Sequence, residues 1–164
     1  MSYDDRCKDS NNRRNKNTTM TVKTSSDTLK KKIKEFEGFR IKAYRCPSGV
    51  WTCGYGHTKY VRATTSCTQS VADRWLDEDL APIEAFLAAI RQIDTQGKFD
   101  ACADFCFNLG LGAFRDSTLL KKIRSGADTV SIQTEFAKWV YSNGRRLDGL
   151  VKRRAWEARR YAEK

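Results

Sequence analysis

At 164 residues the chain has the length of one domain, or of two lobes sharing a core. Hydrophobic residues are 40% and charged residues 31%, with 2 Pro and 10 Gly, which excludes collagen-like and low-complexity chains. Lys and Arg outnumber Asp and Glu by 31 to 20, and the net charge of +11 points to an anionic partner: nucleic acid, an anionic membrane or a charged wall polymer.

A chain of this size buries roughly 70% of its unfolded surface, so neither a disulfide nor a metal is required to hold it. No window holds ~18 consecutive apolar residues, which excludes a membrane-spanning helix and stable membrane insertion. The best apolar stretch, Leu80 to Ile90, is cut by Pro82 and Glu84. Residues 1–27 read as a polar tail, with 1–19 disordered and Met20 an alternative start. They hold no apolar run of the kind a signal peptide needs, so no signal peptide is expected. Residues 28–164 then form a single domain.

Ser26 or Asp27 can cap a first helix with Leu29, Ile33 and Phe36 on one face, and Glu37-Gly38 ends it. Arg40 to Arg45 alternates as a strand, with Ile41 and Ala43 on one side. Cys46-Pro47-Ser48-Gly49 is turn chemistry, and Val50 to Tyr55 reads as the returning strand. Thr68 caps a helix carrying Val71, Trp75, Leu76 and Leu80, which either continues into or is closely followed by a helix begun by Pro82. Phe99 to Leu109 is apolar on most of its surface, the mark of a buried central helix ended by Gly110. Asp116 or Ser117 opens a helix with Leu119, Leu120 and Ile123, and Asp128 or Thr129 opens one with Ile132, Phe136 and Trp139. Asn143-Gly144 breaks the chain before a basic last helix, Gly149 to Lys164. Residues 121–164 carry 12 Lys/Arg and 5 Asp/Glu, most of the excess charge.

Six cysteines stand at positions 7, 46, 53, 67, 102 and 106. They form no Cys-x-x-Cys pair, and His57 is the single histidine, so no metal site and no cofactor are expected. Most read as small buried hydrophobes.

Glycosidic bond hydrolysis needs a protonated carboxylic acid on one side of a sugar and a second polar group on the other. Glu37 suits the acid: a helix C-terminus and the flanking Phe36 and Phe39 both favour a neutral carboxyl. From Glu37 the next landmarks are Cys46 nine residues on, Thr52 six further, and then Gly54-Tyr55-Gly56-His57. This pattern resembles the signature of the phage-type lysozymes, the T4-like and lambdoid endolysins. The likeness continues in Phe107-Asn108-Leu109-Gly110, Gly112-Ala113-Phe114, Ser117-Thr118-Leu119-Leu120, Trp139, Gly149-Leu150 and Arg153-Arg154.

The resemblance implies an α+β, mainly helical lysozyme fold. A small hairpin lobe would span about residues 38–67 and a linking helix 68–80, with a helical lobe over 81–164 packed on helix 28–37. It implies a muramidase that cleaves the β-1,4 bond between N-acetylmuramic acid and N-acetylglucosamine in peptidoglycan. Glu37, Cys46 and Thr52 would be catalytic, with Cys46 standing where many family members carry Asp. Cys46 would activate water with Thr52, help stabilise the oxocarbenium-like transition state, or merely fill space; Arg45 is placed to make its thiolate accessible. Thr58, Phe107, Asn108, Ser117 and Gln133 would meet sugar. Arg153 or Arg154 would hold Glu37, and His57 would pair with Asp79. Strand alternation sends Thr52 and Cys53 to opposite faces, so Cys53 would meet Cys67 in the small lobe, as buried free thiols or as a disulfide.

The resemblance further implies a monomer that accumulates in the host bacterial cytoplasm and reaches the periplasm and wall through a holin. The rival from another class is a non-catalytic cationic wall- or membrane-binding protein. It rests on the mixture of basic residues with Leu150, Val151, Trp156 and Tyr161 in the last helix. Nucleic-acid binding has only the charge in its favour and is not expected.

Overall fold

The computed structural model describes residues 23–46 and 48–163. The tail expected over residues 1–19, Met20, Cys7 and Pro47 lie outside the described residues. The fold is α+β and mainly helical, with two small antiparallel hairpins.

Helix α1 (Asp27–Glu37) begins where the Ser26 hydroxyl accepts from Leu29 N–H, and it buries Leu29 and Ile33. It stops at Gly38, whose φ of 69° the chain needs to leave the helix while its N–H still bonds Lys34 C=O. Strands β1 (Arg40–Arg45) and β2 (Trp51–Gly54) pair antiparallel, Tyr44 opposite Thr52, with a bulge between Arg40 and Tyr44. The expected alternation in β1 is weak: Ile41 is 59% exposed and only Ala43 is half-buried. Ladder bonds from Ala43 N–H to Thr65 C=O and from Cys67 N–H to Ile41 C=O occupy its other edge.

Helix α2 (Gln69–Ala88), capped by the Thr68 hydroxyl, is one helix: Pro82 lies inside it and does not end it. Its buried stripe runs unbroken through Ala72, Leu76, Leu80, Ile83 and Leu87, and this continuous face outweighs the one backbone bond that proline removes. Of the two expected arrangements, the helix from Thr68 thus continues through the Pro82 segment, as far as Ala88. Gly54 fastens β2 to it; a Cβ there would sit 3.0 Å from the Ala72 Cβ.

Helix α3 (Gln96–Leu109) is buried on every side from Phe99 to Cys106 and packs on α1, α2 and α7. Helix α4 (Leu111–Asp116) follows the Gly110 turn in a stretch with no expected helix. Helices α5 (Thr118–Arg124) and α6 (Thr129–Ala137) are capped by Ser117 and Asp128. The Asn143-Gly144 break is a tight hairpin between β3 (Tyr141–Ser142) and β4 (Arg145–Arg146), with both turn residues at positive φ, 48° and 75°. Helix α7 (Asp148–Ala162) closes the molecule against α3 and α6. Trp139 lies in the core margin, its ring edge-on to Phe105 at 5.3 Å.

The fold corrects the surface-active reading of the last helix. The buried residues of α7 are Arg153, Arg154, Glu157 and Tyr161; Leu150, Val151 and Trp156 are half-buried, and Trp156 packs against the core edge-on to Phe36. Its inward face mixes ion pairs with Tyr161 and Trp156, so these aromatic residues are spent on the core and not offered to a lipid interface.

Candidate active site

Glu37 is the last residue of α1, so its carboxyl projects past the end of the helix into the space between the hairpin and the helical lobe. It lines a hollow of about 310 Å³ with Gly56, Thr58, Asp79, Ile83, Phe107 and Asn108. A second hollow of about 350 Å³ lies on its other side, bounded by Phe36, Asn108, Leu147, Gly149, Leu150 and Arg153. Glu37 and Asn108 thus line both hollows. A Cβ on Gly56 would lie 3.8 Å from Glu37 Oε2, so a bare backbone faces the acid.

The choice between the two arginines is resolved by the fold. Arg153 Nη1 donates to Glu37 Oε1 at 2.5 Å, while its Nε and Nη2 donate in a fork to Asp104 at 2.9 Å each. Arg154 instead donates to Asn108 Oδ1 at 2.9 Å and to Glu157 at 2.6 Å. Burial works against the charge on Arg153, but Asp104 first and Glu37 second outweigh it and hold the guanidinium above its ordinary range. Burial and the neighbouring Asp104 push the Glu157 carboxyl upward, and Arg154 opposes them.

Asp104 and Glu157 belong to this network and were not among the candidates. The signal was present in the sequence. Asp100 and Asp104 are carboxylates four apart in a helix otherwise apolar all round, and fully buried carboxylates require cationic partners. Asp100 finds Arg160, at 2.6 Å, and Asp104 finds Arg153.

On the hairpin side, Cys46 and Thr52 come together across the β1–β2 turn. Cys46 Sγ lies 2.9 Å from the Ser48 hydroxyl. That hydroxyl foremost, with the Val50 and Ser48 backbone and the Thr52 hydroxyl, lowers the thiol to about 7, against the opposing effect of desolvation. Arg45, expected to supply this effect, lies over the Trp51 ring at 5.0 Å instead. Thr52 is buried and donates to Val50 C=O at 3.2 Å. Neither Cys46 nor Thr52 lines the hollow beside Glu37, and the hydrogen bonds among the described residues do not join them to it.

Thr58, Phe107 and Asn108 all line the groove. Two other expected sugar contacts do not. The Ser117 hydroxyl is spent on the backbone, donating to Phe114 C=O at 2.7 Å and accepting from Leu120 N–H at 3.0 Å, because it caps α5. Gln133 faces α7 and donates to Ala158 C=O at 2.8 Å. His57 Nδ1 lies 2.9 Å from Asp79 and its Nε2 lies 3.0 Å from Lys59 C=O, with the ring stacked on Trp75 at 4.7 Å. This ties the loop after β2 to α2. Cys53 and Cys67 are free thiols with sulfurs 3.4 Å apart; burial, followed by Cys53, pushes Cys67 up to about 11. Cys102 and Cys106 are likewise free, and burial pushes both upward. Among the described residues no group of His, Cys, Asp and Glu is placed to hold a metal ion.

The phage lysozyme family profile matches residues 34–157. The chain belongs to the phage lysozyme family. Its matched span contains the groove and both halves of the site. This family member is 45% identical over 130 residues to the endolysin of Acyrthosiphon pisum secondary endosymbiont phage 1, covering 76% of this chain and 88% of that protein. It is 39% identical over 129 residues to the endolysin of Bacillus phage PZA, covering 76% of this chain but only 50% of that longer protein. Among solved structures, the muramidase domain of SpmX from Asticaccaulis excentricus superposes with a TM-score of 0.77 at 35% identity, covering 85% of this chain and 97% of that one.

Proposed function

We propose that the chain is a muramidase that hydrolyses the β-1,4 bond between N-acetylmuramic acid and N-acetylglucosamine in peptidoglycan, in the lysis of a bacterial host. The observation that carries the reading is the position of Glu37 in a groove lined by Thr58, Phe107 and Asn108, with its carboxyl held by the buried Arg153. Glu37 gives its proton to the glycosidic oxygen as that oxygen leaves C1. A water held between Cys46 and Thr52 attacks C1 from the opposite face, and its proton passes to the Cys46 thiolate. The product then carries an inverted anomeric centre. Thr58, Phe107 and Asn108 offer hydroxyl, aromatic and amide groups along the groove, which suits a glycan bearing N-acetyl groups. The net charge of +11 draws the enzyme to an anionic wall and makes turnover fall with added salt.

We extend the reading to a monomer that accumulates in the host cytoplasm and passes to the wall through a holin. Among the described residues no helix is long and apolar enough to cross a membrane. The test is turnover of purified peptidoglycan by Glu37→Gln, with the anomer at the new reducing end identified. Loss of turnover by at least ~100-fold, the usual worth of a general acid, is expected. Undiminished lysis would overturn the enzyme and leave the cationic binder.

A further inference from the structure

Asp104 has no solvent exposure, sits on α3, and touches no surface of the groove. Its two oxygens take two of the three guanidinium nitrogens of Arg153, at 2.9 Å each, and the third nitrogen reaches Glu37. Arg153 is itself only 4% exposed, so water does little to screen its charge.

A guanidinium that faced Glu37 alone would favour the ionised carboxylate, which is the wrong state for an acid. We propose that Asp104 is a positioning residue for Glu37, acting through Arg153: its carboxylate takes up the guanidinium charge, so that Arg153 can orient Glu37 by a hydrogen bond without drawing its proton away. The inference rests on the reading of Glu37 as the proton donor. The fork also fixes the plane of the guanidinium, since both Nε and Nη2 are committed, and so fixes the direction from which Nη1 approaches.

The other charged groups around Glu37 do not perform this task. On α7, Arg154 is engaged with Glu157 and Asn108. From α2, Asp79 lines the same hollow but is paired with His57, and Lys34, on α1 itself, is paired with Asp73 at 2.7 Å. Cys46, on the hairpin, is held by Ser48. Among the described residues, Asp104 is thus the one carboxylate in contact with the guanidinium on the side away from the acid.

The test is titration of the Glu37 side-chain carbon by ¹³C NMR in the wild type, Asp104→Asn and Asp104→Glu, with Glu37→Gln assigning the resonance. Asparagine keeps the shape and one acceptor but removes the charge. The Glu37 midpoint is expected to fall by about one pH unit in Asp104→Asn, the size of an uncompensated neighbouring charge, and to return in Asp104→Glu. Above that midpoint kcat falls about tenfold, in step with the protonated fraction, while KM changes little. Should Asp104→Asn not fold, as judged by circular dichroism, Asp104→Ser supplies the same charge deletion for the same titration. An unmoved midpoint in the folded charge-deleted variant would overturn the inference, even with Glu37→Gln inactive. An active Glu37→Gln would instead overturn the assignment of the acid itself.

Discussion

Glu37 is held by a residue 116 positions away in the chain, whereas Cys46 is held by Ser48, two positions away. The acid side of the groove therefore exists only when α1, α3 and α7 have docked. The thiol side needs little more than the β1–β2 turn to close. The Arg153–Asp104 support behind the acid is buried and ionic, so it is coupled to stability; the Cys46 sulfur is partly exposed beside a neutral hydroxyl, so it is free to change chemistry without unfolding the protein.

The sharpest break in that comparison is Arg153→Met. It strands Asp104 in the core without a cation and is expected to cost about 3–5 kcal/mol, read from urea unfolding, as well as removing the support of Glu37. An unfolding midpoint equal to that of the wild type would show that the two sides do not differ in this way. Cys46→Ala sits at the other pole. Wall turnover is expected to fall by ~100-fold or more while the melting temperature stays near the wild-type value, measured by scanning calorimetry.

Alkylation of the native protein, followed by peptide mapping, sharpens the same contrast. The Cys46 thiol is lowered, so its thiolate is present above about pH 7 and lost as pH falls through that value; its alkylation rate follows the same midpoint. Cys67, pushed up to about 11 by burial, and the buried Cys102 and Cys106 react only after unfolding. Equal native reactivity at Cys46 and Cys67 would contradict the arrangement of the hairpin. The smallest effect belongs to Glu78→Ala, which removes an exposed pair with Arg74 at 3.8 Å and changes stability by less than about 0.5 kcal/mol.

Where a signal is local, the sequence carries it well. The caps at Ser26, Thr68, Ser117 and Asp128, the Gly38 stop and the β1–β2 turn all act through neighbours within a few residues. Helix α4 was not legible because six residues are too few for an apolar period to show. The β3–β4 hairpin shows in the sequence only as a break, since strands of two residues have no alternation, although Asn-Gly is the turn such a hairpin needs. Ser117 illustrates a conflict of roles: a hydroxyl in a motif that the resemblance assigns to sugar binding is committed to a helix cap.

The apolar stripes, the caps and the turn residues specify the helices and the hairpin by themselves, because these features depend on periodicity and on neighbours along the backbone; the lysozyme-like fold and the choice of Glu37 as the acid follow from the resemblance of the Glu37, Cys46 and Thr52 pattern to the phage-type lysozymes. The choice of Arg153 over Arg154, the recruitment of Asp104, and the removal of Gln133 from the groove were decided only by tertiary structure. Adjacent arginines on a helix point about 100° apart, and which of them meets the acid depends on how α7 is rotated against α3, a packing outcome that no short stretch of sequence contains.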